Sequence, residues 1–462
     1  MSEHRDPGDR GAGGQPPAVF HPSGARGARA GGSVARLYAV YAAVFLGITL
    51  GIGTWLRAVF VWPALKGPFT FQYLLHAHSH GAFFGWVTPA LFAAIVAAAR
   101  PDVTLEARLR LHAHALGVLS AAAIVAFALT GYGAVSIAIS AGHVLLWYLF
   151  AIPVLRVLGA ERGAARTERR FYRAALALLL VAGTATLLPG ILMARGVSAP
   201  WLKELGVKLF LTPFIGGWLV LGAMGAVYGR LGEGHWSRWA LRLTAAGVVP
   251  STLLFVAEPA PWPALVWLGR GGSLLLGLGG MAFALDALGA WRRTGALIRL
   301  AAAAAAAKAT LELLAALGVG GALLHDRSIV LAYLHLALLG LVTPVLLAEV
   351  YRRGSARVVV GALSGAPARG PAGAGARTLA HGLGLALMCG ALVGLGWPAL
   401  ARALAALGVG FTALFPVAFA GGALSAVALL ALLRAEGRPA TPPGESAATD
   451  AIDSTPALIE IP

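Results

Sequence analysis

Between residues 36 and 433 the sequence is a succession of apolar runs separated by short basic stretches. Each run is long enough to cross a bilayer as an α-helix, which needs roughly 20 mostly apolar residues. The runs fall at about 36–59, 72–99, 109–133, 135–158, 171–195, 204–229, 238–257, 264–290, 297–319, 328–351, 377–401 and 407–433. Inside a bilayer the backbone must satisfy its own hydrogen bonds, and runs this long and uniform do not suit barrel strands of about ten residues. The expected fold is all-α, a polytopic transmembrane bundle of about twelve helices. Of the 462 residues, 58% are hydrophobic and only 12% charged, with a mean hydropathy of +0.78. No water-soluble domain buries so large an apolar fraction.

Charge placement supplies a second reading of the topology. If the N-terminus is cytoplasmic, 27 of the 36 Lys and Arg residues lie in or beside inner segments, including the runs at Arg162 to Arg173, Arg292 to Arg293 and Arg352 to Arg357. Six fall in or beside outer loops, and Lys208, Arg270 and Lys308 fall within helices. A helix added or dropped in mid-chain would scramble that asymmetry, so both termini are expected on the cytoplasmic side. The net charge of +17 therefore belongs to inner loops facing a lipid bilayer and does not point to nucleic acid. Residues 1–34 and 435–462 read as disordered cytoplasmic tails around a transmembrane domain at 35–434, because the first stretch is rich in Gly, Ala, Pro and Arg and lacks a signal-peptide core. The expected location is a bacterial inner (cytoplasmic) membrane, crossed many times.

The single cysteine, Cys389, excludes an internal disulfide framework, a Cys-x-x-Cys-His haem attachment and a thiolate cluster. Any metal must then be held mainly by histidine. Of twelve histidines, His4 and His21 lie in the N-terminal tail and His235 in an inner loop. The densest group is Leu75-His76-Ala77-His78-Ser79-His80 in the second run. His76 and His80 are four apart and share a helix face, whereas His78 points about 200° away from His76. Such a helix can give one imidazole to each of two cofactors. Alternatively, His76 and His80 chelate one metal together with another helix.

Depth narrows the choice. At about 1.5 Å per residue, His76 to His80, His143 and His335 all lie roughly 6 to 12 Å inside the outer boundary. His325 lies just above this layer, and His112, His114 and His381 form a separate inner group. A lone membrane histidine serves equally well as a hydrogen-bond link between helices. Several in one layer point to a cofactor or metal, and the set for a metal is His76, His78, His80, His143 and His335.

The run His76-Ala77-His78-Ser79, followed by Gly85-Trp86, resembles the His-x-His-Ser...Gly-Trp helix of the C-type haem-copper oxidases, whose relatives include nitric oxide reductases. The segment Ala332-Tyr333-Leu334-His335-Leu336-Ala337-Leu338-Leu339-Gly340 resembles a second haem-side motif of subunit-I-like proteins. The resemblance implies a haem-binding relative of oxidase subunit I, with His76, His78 and His335 as axial-ligand candidates. In that family the motif helix binds a low-spin and a high-spin haem and comes late in the chain, whereas here it is the second helix. The sequence has no His-His dipeptide, so a copper centre of the family's kind lacks its ligand pair. Electrons would come from a donor protein or a quinone, and further subunits are compatible with this reading. An oxidoreductase acting on oxygen or nitric oxide is one expectation. The alternative is a transporter or sensor that binds a transition metal through the same histidines.

Charges within helices need partners. Lys308 and Glu312, four apart, can pair on one face, and Glu204 and Lys208 repeat that spacing. Haem propionates are anions, and Arg270 and Lys208 are their expected cations.

Overall fold

The computed structural model describes residues 23–160, 166–197, 200–255, 262–319, 326–352, 374–396, 398–407 and 410–435. Every regular element among the described residues is helical. In chain order the long helices are α1 (Ser23–Val61), α2 (Phe71–Ala99), α3 (Val103–Thr130), α4 (Ala134–Ala160), α5 (Arg166–Ala185) and α6 (Glu204–Leu231). They continue as α7 (Ser237–Ser251), α8 (Pro263–Gly289), α9 (Ala296–Ala316), α10 (Arg327–Val350), α11 (Ala374–Gly396) and α12 (Leu414–Ala435). Ten are long and apolar enough to cross a membrane. The exceptions are α7, with 15 residues, and α9, which carries Arg299, Lys308 and Glu312. Helix α1 begins at Ser23, inside the stretch read as a tail, while residues 1–22 and 436–462 lie outside the described residues.

Local chemistry sets several ends. Asp102 caps α3 by accepting from the Leu105 amide at 2.8 Å, and Gly131 closes the same helix at φ 57°, a conformation that favours glycine. Asp326 caps α10 by accepting from the amides of Ser328 and Ile329 at 2.8 and 3.0 Å. Residues 256–261, between the runs expected at 238–257 and 264–290, lie outside the described residues.

Burial sorts the helices. The apolar stretches of α2 and α6 are 78% and 83% buried, whereas those of α1, α3 and α4 are 28–33% buried, so the former run through the interior. The outward sides of α3 and α4 carry exposed Leu111, Val118, Val125 and Leu129, and Leu145, Leu149 and Ile152. Stripes of this kind are stable only against lipid. Elsewhere small residues let backbones touch: a Cβ on Gly384 of α11 would sit 2.6 Å from the Gly421 carbonyl of α12, and the converse also holds.

A threefold regularity emerges that the sequence pattern did not reveal. Helices α2, α6 and α10 each widen into a π-turn, at Gly81–Val87, Pro213–Leu219 and Leu336–Val342. Proline explains the widening. Pro89 and Pro344 each follow a π-turn closely and Pro213 opens one, so a missing amide frees a carbonyl and the helix relaxes around it. The fifth residue of each turn is glycine, and each packs against the preceding odd-numbered helix: Gly85 on Phe45 of α1, Gly217 on Leu178 of α5, and Gly340 on Ala304 of α9. The chain thus repeats one local arrangement three times. Trp86, within the first of these turns, and Thr343, just beyond the third, tie α2 to α10 by an indole N–H to hydroxyl bond of 3.1 Å.

Candidate functional site

Helices α1, α2, α10, α11 and α12 enclose a slot of about 420 Å³, within the roughly 300–1,000 Å³ of small-molecule and cofactor sites. Its wall is mostly apolar, from Leu46, Leu50, Phe83, Leu331, Leu338, Met388 and Leu392. At the end where α1 meets α2 lie Arg57, Phe60, Phe71, Arg327 and Phe415. There Phe60 packs edge-on to Phe71 at 5.1 Å and stacks on Phe415 at 5.4 Å. At the opposite end lie Trp86, Thr343 and Ser425.

Two imidazoles from different helices face this slot: His78 of α2 and His335 of α10. Both are held in the same way. His78 Nδ1 lies 3.0 Å from the Thr49 carbonyl oxygen, and His335 Nδ1 lies 2.6 Å from that of Leu331. A carbonyl only accepts, so each Nδ1 carries the proton and each Nε2 keeps a lone pair. A hydrogen bond from one ring nitrogen to a backbone carbonyl is the usual way to orient a ligating imidazole. Neither Nε2 has a hydrogen-bond partner among the described residues. Gly53 makes room for the His78 ring, since a Cβ there would lie 2.6 Å from its Cε1.

The layer in which the sequence placed five imidazoles resolves into two places. His76, His80 and His143 lie on the other side of α2, against α3 and α4. His80 donates from Nδ1 to the His76 carbonyl at 2.9 Å and stacks on Phe127 at 3.7 Å. His143 uses both nitrogens, with Nδ1 on the Ile139 carbonyl at 3.1 Å and Nε2 accepting from the Ser120 hydroxyl at 3.2 Å. Its ring stacks on Phe84 at 4.1 Å. His76 lies edge-on to Tyr132 at 4.5 Å and takes the Gln72 amide at Nε2. Among the described residues no group of three or more His, Cys, Asp or Glu side chains is placed to hold a metal ion.

All three inner histidines are helix links, His114 meeting the Tyr41 hydroxyl of α1 at 2.8 Å. His112 donates from Nε2 to the Leu146 carbonyl at 2.8 Å and meets the Tyr38 hydroxyl at 2.7 Å, joining α1, α3 and α4. His381 donates to the Leu339 carbonyl, within the α10 π-turn, and meets the Ser425 hydroxyl, both at 2.8 Å. His325 lies outside the described residues.

The cations differ from those expected. Neither Arg270 nor Lys208 lines the slot. Arg270 lies over Trp267 at 5.0 Å, near Gly318, because α8 is not part of the slot wall. The cations that line the slot are Arg57 and Arg327. The signal was present, since Arg57 falls inside the first apolar run. The pair Lys308–Glu312 forms as its spacing predicts, fully inside the protein, with Nζ donating to Oε1. Tyr333 adds an unforeseen third member by donating to Glu312 at 2.9 Å.

Chemically, the slot presents two neutral imidazole lone pairs in an apolar surround, with cations at one end. Imidazole nitrogen suits iron, zinc and copper, but two such donors leave a small ion undercoordinated. A macrocycle that supplies four ligands itself would need only two such donors, and His78 and His335 would be the residues that hold it. The residues therefore fit haem. In comparisons with known proteins, no family model matches the chain, and no curated protein sequence matches it.

Proposed function

We propose that this chain is a haem-binding membrane protein of the oxidase-subunit-I kind, with twelve spans and both termini on the cytoplasmic side. In this reading the slot would hold one haem, with His78 and His335 as the residues that bind its iron. The supporting observation is that imidazoles from two separate helices reach one cavity with Nδ1 tied and Nε2 free. When bound, the iron supplies one-electron transfer. The chain's own residues fix the ring orientations through Thr49 and Leu331, exclude water with an apolar wall, and set cations at one end. With His78 and His335 both holding the iron, the bound haem would supply electron transfer in preference to binding of oxygen or nitric oxide. Electrons then enter from a donor protein or a quinone at a bacterial inner membrane. Copper has no place in this reading.

The test is a reduced-minus-oxidised spectrum of the protein purified in detergent, with haem quantified against protein. The expected result is one low-spin haem per chain. A colourless protein carrying stoichiometric zinc or copper would replace this reading with that of a metal-handling transporter or sensor.

Gly53 gives a subtler check. In Gly53→Ala the added methyl meets the His78 ring at 2.6 Å, so the ring must shift or leave the slot. The expected outcome is haem that is lost, or retained with a partly high-spin spectrum. Gly47 and Gly51, on the same helix with nothing within 4 Å, should tolerate alanine without spectral change.

A further inference from the structure

We propose that a second cavity, at the end of the bundle where α6 stops and α9 starts, binds the phosphodiester of an anionic phospholipid. The cavity holds about 160 Å³ and shares no residue with the slot, so it stands apart from the haem reading. Its apolar lining comes from Val227 and Leu231 of α6 and Ile298 of α9, and its polar lining from Arg230, Arg293 and Thr294. Arg230 is held in place by Glu349 of α10, with Nε and Nη2 both 3.3 Å from Oε2. Among the described residues the Arg293 guanidinium has no hydrogen bond or ion pair, which leaves its five donors for a ligand. Gly295 at the start of α9 brings no side-chain acceptor to the cavity, and the first turn of that helix carries no acid.

The neighbouring acids are engaged elsewhere. Asp286 accepts from the Tyr228 hydroxyl at 2.8 Å and from the Trp236 amide at 3.0 and 3.1 Å, and Glu233 pairs with Arg238 at 3.0 Å. No carboxylate lines the cavity, so two guanidinium forks are left to recognise an anion, and they match phosphate oxygens well. The surroundings say which anion. Trp236 and Trp239 at the start of α7 and Trp291 just before α9 are 41%, 53% and 47% exposed. Arg299 lies over the Trp291 ring at 4.8 Å and donates to its carbonyl at 3.1 Å. Exposed tryptophans mark the headgroup layer of a bilayer, and basic pockets between spanning helices at its cytoplasmic face take anionic headgroups. In the proposed topology this end of the bundle is cytoplasmic. A phosphodiester that carries acyl chains uses both linings of the cavity, whereas a free phosphate ion leaves the apolar one uncovered.

The full-length protein, purified and freed of lipid in detergent, can be titrated with dioleoylphosphatidylglycerol and with dioleoylphosphatidylcholine in mixed micelles, with bound lipid followed by native mass spectrometry. The expected result is that the wild type retains phosphatidylglycerol roughly tenfold or more tightly than phosphatidylcholine. Arg293→Leu should bring the two lipids within about twofold, and Arg293→Lys should keep part of the preference. Arg292→Leu removes the same charge from a side chain outside the cavity and should keep all of it. Equal binding of the two lipids by the wild type, or a preference that survives Arg293→Leu, overturns the site. Displacement of phosphatidylglycerol by millimolar inorganic phosphate overturns the lipid assignment in favour of a free phosphate ion. The wild-type comparison needs no variant, so poor folding of Arg293→Leu leaves the test complete; in that case Arg293→Gln supplies the mutant arm.

Discussion

Replacing His78 with alanine is expected to yield a folded protein without low-spin haem, and replacing His335 is expected to do the same. In contrast, His80→Ala and His143→Ala should retain a wild-type spectrum. The contrast follows from placement. His78 and His335 face the slot with a free Nε2, whereas His80 stacks on Phe127 and His143 spends both nitrogens within the bundle. Among the described residues each slot-facing imidazole makes one hydrogen bond, to a backbone carbonyl that retains its helical role. Truncation therefore costs little in helix packing. Low-spin haem surviving in both His78→Ala and His335→Ala would remove the slot from consideration.

The second large effect concerns folding. Glu312→Gln leaves the Lys308 ammonium buried without its counter-ion, against Tyr333, whose ring centroid is 5.3 Å from Nζ. Breaking one side of a buried ion pair costs about 3–5 kcal/mol, because the remaining charge has no compensation. The expected outcome is a sharp fall in the yield of monodisperse protein and in thermal stability in detergent. The double variant Lys308→Met/Glu312→Leu should recover most of that loss, since apolar replacement of a whole buried pair is often neutral. Thermal unfolding of the two variants beside the wild type decides the matter. Equal stability of Glu312→Gln and the wild type would show that the pair carries little weight.

How much of this was legible in the sequence depends on range. Helix positions were, because apolar length is a local property: the expected run at 72–99 is α2 at Phe71–Ala99, and that at 264–290 is α8 at Pro263–Gly289. The Lys308–Glu312 pair was also legible, since i,i+4 spacing places both groups on one face. Helical phase separated His78 from His76 and His80, but phase does not say which neighbour each face meets. Only the packing of the bundle brings His78 and His335 to the same slot. The arginines were missed for a related reason. A tally of loop charges assigns Arg57 to a side of the membrane, while its burial depends on how α1 lies across α12. The π-turns left only an indirect trace in Pro89, Pro213 and Pro344, which mark breaks without indicating their form.

The proposal depends on one physical condition, that imidazoles from two distant helices reach the same ligand. The most direct measurement is chemical rescue. In His335→Gly the missing ring leaves space beside the slot, and added imidazole should return the low-spin spectrum of the wild type in a saturable way, as should occur in His78→Gly. A His335→Gly protein whose haem spectrum already matches the wild type, and does not respond to imidazole, would contradict the account.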